Sequence, residues 1–389
     1  MDRRHLLATA AGAFAASIAN QAQAYKGTVE QHLGDPKFLK DHATRFIDLD
    51  TEGLMDFNGQ YTKYIREFLG GDESYPDRAA FLKANGYPMG PVETSHEECF
   101  NIMLQYPPYA AHIRLARTIH EQMWDRALRS LRRHEDLYLS AMEATDKTGH
   151  LELNRGLVIP EYACHEIHEQ PGGYVGDELA GMLYHYAAVT AFYHGLANGP
   201  VNHDERNQIM VAEWGTPPDK KIKRILEVGT SHGSTTIALR ERFDDKDIEV
   251  WGLDVAAPQV RYAHNRAQKM GHDIKFVQRL AEDTGFPDNY FDIIAINLLF
   301  HEVPSSITRK IIPELSRITR PGGVWVGDAS TQGGPRQGTI LQKARTWAGH
   351  RWNFEVWTLQ NNTNDFPVLR KAAGWVQNNA TGKSLAMKA

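Results

Sequence analysis

Glu227, Gly229, Ser231 and Gly233 stand at every second position of ILEVGTSHGSTTIAL, residues 225–239. The branched, apolar run from Arg224 to Val228 reads as a short strand, and Ser234 to Phe243 as a helix opened by hydroxyl residues that can cap it. Strand, tight turn and helix begin a βαβ unit. What the turn holds depends on its residue types. A pyrophosphate-binding turn carries Gly at its first, third and sixth positions, and here these are Gly229, Ser231 and Ser234, which argues against a nicotinamide dehydrogenase. A nucleoside that carries an amino acid needs close backbone approach and a carboxylate facing its ammonium group. The small residues allow the first, and Glu227 supplies the second.

Three later segments must position this turn. VWGLDV, residues 250–255, reads as a strand ending in Asp254; RLAEDTGFPDNYFDIIAINLLFHEVP, residues 279–304, as a loop and a buried strand; and RITRPGGVWVGD, residues 317–328, as a helix end, a Pro-Gly-Gly turn and a further strand. Taken with the first segment, they resemble, in order, the motifs of class I S-adenosylmethionine-dependent methyltransferases of the ubiquinone/menaquinone-biosynthesis type. The resemblance covers residues 216–389, about the size of one domain. It implies an α/β fold: a Rossmann-like seven-stranded sheet whose last strand, KSLAMKA, runs antiparallel. It also implies S-adenosylmethionine as cofactor, held by Glu227, Gly229, Thr230, Ser231, Gly233, Asp254, Val255, Ala281, Glu282 and Asn297, with Asp254 on the ribose hydroxyls. One position departs from the family. The Asp that accepts from the adenine amino group is here Leu280, so either adenine is held otherwise, with Glu282 as acceptor, or the ligand is altered.

Methyl transfer is mostly a matter of positioning. An oxygen or carbon acceptor must also lose a proton, which calls for a base. His301 follows the strand IIAINLLF at the end of the sheet where open α/β folds bind ligands, and an ordinary pKa of about 6.5 suits it to proton abstraction. The same residue, with Glu302, can instead close the strand by hydrogen bonding. Asn297 can touch the methionine end of the cofactor or be a buried, satisfied amide.

The chain of 389 residues is long enough for two domains, and residues 25–215 read as a mostly helical cap. Ile113, Ala116, Ile119, Met123, Ala127 and Leu131 form one stripe at helical spacing. A second helix is expected from Gly176 to Gly195, and Gly70, Gly71, Gly86, Pro88 and Pro91 break the early part. Within the cap, EYACHEIHEQPGGYVGDE, residues 161–178, is chemically crowded. Cys164, His165 and His168 invite a metal, but the histidines are three apart rather than the four of the zinc-protease motif, and no metal is assigned. By resemblance to helical-cap methyltransferases, Tyr162, His165, His168, Gln170 and Tyr174 are candidates to line the acceptor pocket. A turn packed for its own stability accounts for each of them equally well.

Residues 1–24, MDRRHLLATAAGAFAASIANQAQA, read as an export signal of twin-arginine type, with Arg3 and Arg4 before an apolar run too short for a membrane span, or else as a helical N-terminus that is never processed and leaves the protein in the cytoplasm. Export would part the protein from cytoplasmic cofactor unless a tightly bound molecule travelled with the folded chain. The net charge of -5 arises from interspersed residues of both signs, which disfavours a nucleic-acid partner. Arg126, Arg129, Arg132 and Arg133 line a helix but have acidic neighbours. The two cysteines, Cys99 and Cys164, do not decide the compartment. The expected function is methyl transfer from S-adenosylmethionine to a small organic acceptor, at oxygen or carbon. The alternative is an exported, non-catalytic binder of S-adenosylmethionine, S-adenosylhomocysteine or another nucleoside.

Overall fold

Short runs of branched and aromatic residues pair into one sheet in the computed structural model, which describes residues 48–68, 76–142, 149–192, 203–327, 338–360, 365–376 and 384–389. The strands are β1 (His150–Glu152), β2 (Arg224–Val228), β3 (Glu249–Asp254), β4 (Lys275–Gln278), β5 (Phe291–Ile296), β6 (Thr319–Gly327), β7 (Trp375–Val376) and β8 (Ser384–Lys388). Their order is β1-β4-β3-β2-β5-β6-β8-β7. From β1 to β6 the neighbours are parallel, while β8 runs antiparallel to both β6 and β7. Parallel strands need both faces covered, and every residue of β5 is buried. Alternate residues serve opposite faces: Leu226, Ile294 and Ile296 enter one core with Phe300 and Trp325. Ile225, Ile293 and Ala295 enter the other with Val250 and Val260.

Helices α1 (Leu49–Phe68), α2 (Pro76–Ala84), α3 (His96–Leu104), α4 (Pro107–Arg133) and α5 (Glu135–Met142) precede β1. Between β1 and β2 lie α6 (Ala180–Leu183), which runs into a π-helical stretch Tyr184–Phe192, and α7 (His203–Ala212). The sheet is then crossed by α8 (Ser234–Arg242), α9 (Ala257–Lys269) and α10 (Ser305–Ile318), followed by α11 (Ile340–Trp352) and α12 (Phe366–Ala372). Ile119, Met123, Ala127 and Leu131 of α4 are buried, as the stripe requires. Met123, Ala127 and Leu131 join Met55, Leu183 and Tyr186 in a core that reaches Tyr262 of α9. Contact between cap and sheet layer is close at Gly181, where a Cβ would stand 2.6 Å from Tyr262 Cβ and 3.0 Å from the Pro258 carbonyl oxygen.

Two expectations need correction. The sheet has eight strands, because β1, from the segment expected to be cap alone, pairs parallel with β4. The other seven include the antiparallel last strand that the resemblance implies. The helix expected from Gly176 starts only at Ala180, since Gly176 N–H donates to Gly172 O and Leu179 N–H to Asp177 Oδ1, a turn that delays it. The export signal, Gly70, Gly71, Gly195 and Asp328 lie outside the described residues.

Cys99 is buried, Cys164 is exposed, and both are free thiols. The arginines of α4 are matched by acids: Arg129 with Asp125 at 2.7 Å, Arg132 with Glu135 at 2.6 Å and Arg133 with Asp48 at 2.7 Å. Among the described residues, no helix is long and apolar enough to cross a membrane.

Candidate functional site

The turn after β2 is folded by its glycines. Gly229, at φ +78°, bends the chain so that its own N–H and that of Thr230 both donate to Leu253 O, at 2.8 and 2.9 Å. Gly233, at φ +86°, precedes α8 where a Cβ would lie 2.9 Å from Ala263 Cβ, so it brings α8 against α9 and stands behind the site. Asp254, ending β3, is tied to the same turn: Ser231 N–H donates to Oδ2 and Ala256 N–H to Oδ1, both at 2.9 Å. Burial pushes the Asp254 carboxyl up to about 6, against the lowering effect of these backbone donors.

These residues floor a cavity. Glu227, Gly229, Thr230, Ser231, Asp254 and Val255 face it from the β2 and β3 ends, and Ala281 and Asn297 from the far side. Glu227 is 2% exposed, and the Thr236 hydroxyl donates to it. Burial pushes its carboxyl up to about 8; the Thr236, Thr235 and Thr230 hydroxyls oppose the rise and the Asp254 charge adds to it. Among the described residues no basic side chain pairs with Glu227. A buried carboxyl without a counter-charge holds its proton until a cation arrives to stabilise the ionised form.

The cap closes the cavity with Tyr162, His165, Tyr174 and Tyr184. Tyr162 Oη donates to both carboxylate oxygens of Glu282, at 2.8 and 3.0 Å, so Glu282 supports the rim and does not itself line the cavity. His165 packs edge-on against Trp357, with ring centroids 5.7 Å apart, and burial lowers its pKa against the raising charge of Glu302. Asn297 faces the cavity and also donates through Nδ2 to Thr235 Oγ1 at 3.2 Å.

Besides Gly233 and Glu282, three more expected site residues take other places. Gln170 is fully buried and donates through Nε2 to Gly173 O and Ala180 O, bracing the turn before α6. His168 turns away from His165 into a buried cluster, with Nε2 3.4 Å from Glu302 Oε1 and Nδ1 3.6 Å from Glu355 Oε1. His301 is 2% exposed and sits behind the wall, its Nε2 3.6 Å from Glu302 Oε1. Glu302, one residue on, is the group that faces the cavity.

Tyr174 Oη donates to Glu302 Oε1 at 3.2 Å. Burial alone would raise the Glu302 carboxyl, but the His168 hydrogen bond and the charges of His301 and His168 outweigh it and hold the carboxyl below its ordinary value. Sequence reasoning gave Glu302 a strand-closing part only and passed over Tyr184 and His232, which also line the cavity. His232 lies inside the glycine-rich turn and was legible there. Tyr184 carried no local signal.

The arrangement is thus a buried carboxyl beside a backbone turn, a second carboxyl at the next strand end, and an aromatic roof with one further carboxylate. Residues 225–323 match the family model described as a methyltransferase domain. The demethylmenaquinone methyltransferase of Geobacillus stearothermophilus is 32% identical over 108 residues, 28% of this chain and 45% of that protein. The fatty-acid O-methyltransferase of Mycolicibacterium smegmatis is 32% identical over 108 residues, 28% of this chain and 37% of that protein. The chain spans about half the length of the first curated relatives it matches, 45% and 46%. Among solved structures, the YcgJ protein of Bacillus subtilis aligns over 46% of this chain and 71% of its own, at 19% identity and a TM-score of 0.32.

Proposed function

We propose, for a chain that carries a methyltransferase domain with S-adenosylmethionine as its cofactor, that it transfers the methyl group to a small organic acceptor at oxygen or carbon. The observation that carries this reading is Glu227, a buried carboxylate in the cavity wall without a basic partner among the described residues.

The residues fit the cofactor. Glu227 answers its ammonium group, and Asp254, at the end of the neighbouring strand, keeps lone pairs for the ribose hydroxyls beyond those used by Ser231 and Ala256. Gly229 lets the backbone approach. Ala281 borders the adenine side with no carboxylate of its own, which leaves base selection to backbone and rim. When bound, S-adenosylmethionine supplies a methyl group already activated on sulfur. The chain has to orient the acceptor and take its proton.

Glu302 is the anionic group of the acceptor end, oriented by Tyr174 Oη in front and by His168 and His301 behind. In this reading it accepts the proton, and His301 acts through it as a positioning residue. Tyr162, Tyr184 and His165 exclude water from the roof.

The test is transfer of labelled methyl from S-adenosylmethionine to demethylmenaquinone and fatty acids, the compounds in the names of two relatives, and to simple phenols as further oxygen and carbon acceptors. Label in any product supports the reading. Cofactor binding with no label in any product, and none in a broader extract of small molecules, would favour a non-catalytic binder. We further propose that residues 1–24 direct export, on the strength of Arg3 and Arg4 before an apolar run. Export of a folded reporter that survives replacement of both arginines by lysine would oppose this.

A further inference from the structure

Behind Glu302, outside the cavity, polar donors from three distant parts of the chain converge. His168 comes from the cap turn, His301 from the loop after β5, and Glu355 from the segment after α11. Each offers one donor atom, and these atoms lie within 4.8 Å of one another. All three residues are buried, at 4%, 2% and 5% exposure. The Asn353 amide completes the group: its Nδ2 is 2.9 Å from His168 Nδ1 and 2.7 Å from Glu355 Oε1, and those two atoms are 3.6 Å apart.

We propose that His168, His301 and Glu355, with the Asn353 side-chain amide, form a site for one divalent first-row transition ion. Ligand bonds of about 2.1 Å place neighbouring donors about 3.0 Å apart in an octahedron and about 3.4 Å apart in a tetrahedron. The His168, Glu355 and Asn353 atoms stand 2.7 to 3.6 Å apart, and the His301 donor, within 4.8 Å, has to close on them by a small shift. Without an ion, the Asn353 NH2 group bridges the two acceptors. A half-turn of the amide exchanges its nitrogen and oxygen and presents the carbonyl to an ion instead. Two imidazole nitrogens with one or two oxygens suit zinc or ferrous iron better than calcium or magnesium.

Three features support the site. His168 holds a left-handed backbone, φ 58° and ψ 21°, which a residue with a side chain adopts only when its surroundings impose it. Its N–H donates to Asn353 O at 2.9 Å and its C=O accepts from Trp124 Nε1 at 2.8 Å, so both sides of the strained residue are clamped.

The other ring nitrogen, Nε2, faces the Glu302 carboxylate at 3.4 Å. A carboxylate on the far nitrogen is the usual device for fixing the tautomer and angle of a metal-bound imidazole. Glu355 is supported likewise, accepting from Thr358 Oγ1 at 3.3 Å through its second oxygen.

Charge gives the third argument. The salt bridges of Glu302 and Glu355 among the described residues go to imidazoles alone. A divalent ion would balance these two carboxylates and leave both histidines neutral.

This inference does not depend on methyl transfer, since it concerns the binding of an ion behind the wall. Glu302 would connect the ion to the acceptor end of the cavity.

The test uses untagged full-length protein purified without chelator. Mass-spectrometric metal analysis should find about one equivalent of zinc, iron or manganese per chain. Protein stripped by chelator should bind one Co2+, with visible d–d absorption. Glu355→Gln and His301→Gln should each weaken Co2+ binding by about 100-fold or more while the near-ultraviolet circular dichroism stays native. Asn353→Asp, which adds a charged oxygen at the same place, should bind more tightly and guards against a variant that merely misfolds. The proposal is overturned if folded, stripped protein gives no Co2+ spectrum and no thermal shift with Zn2+, Fe2+ or Mn2+. It is overturned equally if Glu355→Gln binds as the parent does.

Discussion

The Tyr162 hydroxyl donates to both carboxylate oxygens of Glu282, at 2.8 and 3.0 Å, and so fastens the cap to the loop after β4. Burial and the Glu282 carboxylate together raise the Tyr162 pKa far above its ordinary value, so the phenol stays a donor. Because Tyr162 and Ala281 both line the cavity, the clasp sets the height of the roof over the Ala281 side. A hydrogen bond to a charged group contributes about 1.5–3 kcal/mol. Tyr162→Phe should therefore lower the melting temperature by a few degrees and weaken S-adenosylmethionine binding by roughly tenfold, as read by calorimetric titration.

Glu227 makes cofactor binding depend on pH. Its carboxyl is raised from 4.5 to about 8 in the folded protein. The folded state thus holds a proton that the unfolded chain gives up, and the stability this lends is fully present below 4.5 and lost as pH rises through about 8. A cationic ligand demands the ionised form. From about pH 6 to pH 7.5 the affinity for S-adenosylmethionine should rise with pH, by up to about tenfold per unit. Glu227→Gln should abolish that slope, lower affinity by about 100-fold and flatten the pH dependence of the melting temperature.

The β2 turn was legible because its rules are local. Small residues at alternate positions, an acid before them and hydroxyls after them describe the segment without knowledge of the rest, and Gly229 and Asp254 stand where the spacing put them. Other parts were not readable for physical reasons. β1 is only three residues long, too short for any periodicity, and is a strand only because β4 offers it an edge. His168 reads as one more polar residue in a crowded turn; its partners at positions 301 and 355 come from other segments, and its left-handed backbone leaves no trace in residue type. His301 was assigned to the cavity from its place after β5, but the turn there aims Glu302 inward, a matter of one residue that spacing could not decide.

Glu302 separates binding from chemistry. Glu302→Gln keeps the shape of the wall and the contact with Tyr174 while removing the proposed proton acceptor. The rate constant for methyl transfer should fall by about 100-fold or more, and the S-adenosylmethionine dissociation constant should change by less than about threefold. Single-turnover measurements with saturating acceptor check both.

The cap should depend on Gly181. A side chain there would press on Tyr262 Cβ at 2.6 Å and on the Pro258 carbonyl oxygen at 3.0 Å, both on α9. Gly181→Ala is expected to cost about 1–3 kcal/mol, visible as a lower midpoint in urea unfolding.

Calorimetric titration of the protein with S-adenosylmethionine and with S-adenosylhomocysteine, beside Asp254→Ala and Glu227→Gln, tests the central claim most directly. The account predicts saturable binding of both ligands at one site, lost or weakened by about 100-fold in each variant. No heat and no thermal stabilisation with either ligand, or binding that both variants retain, would contradict it.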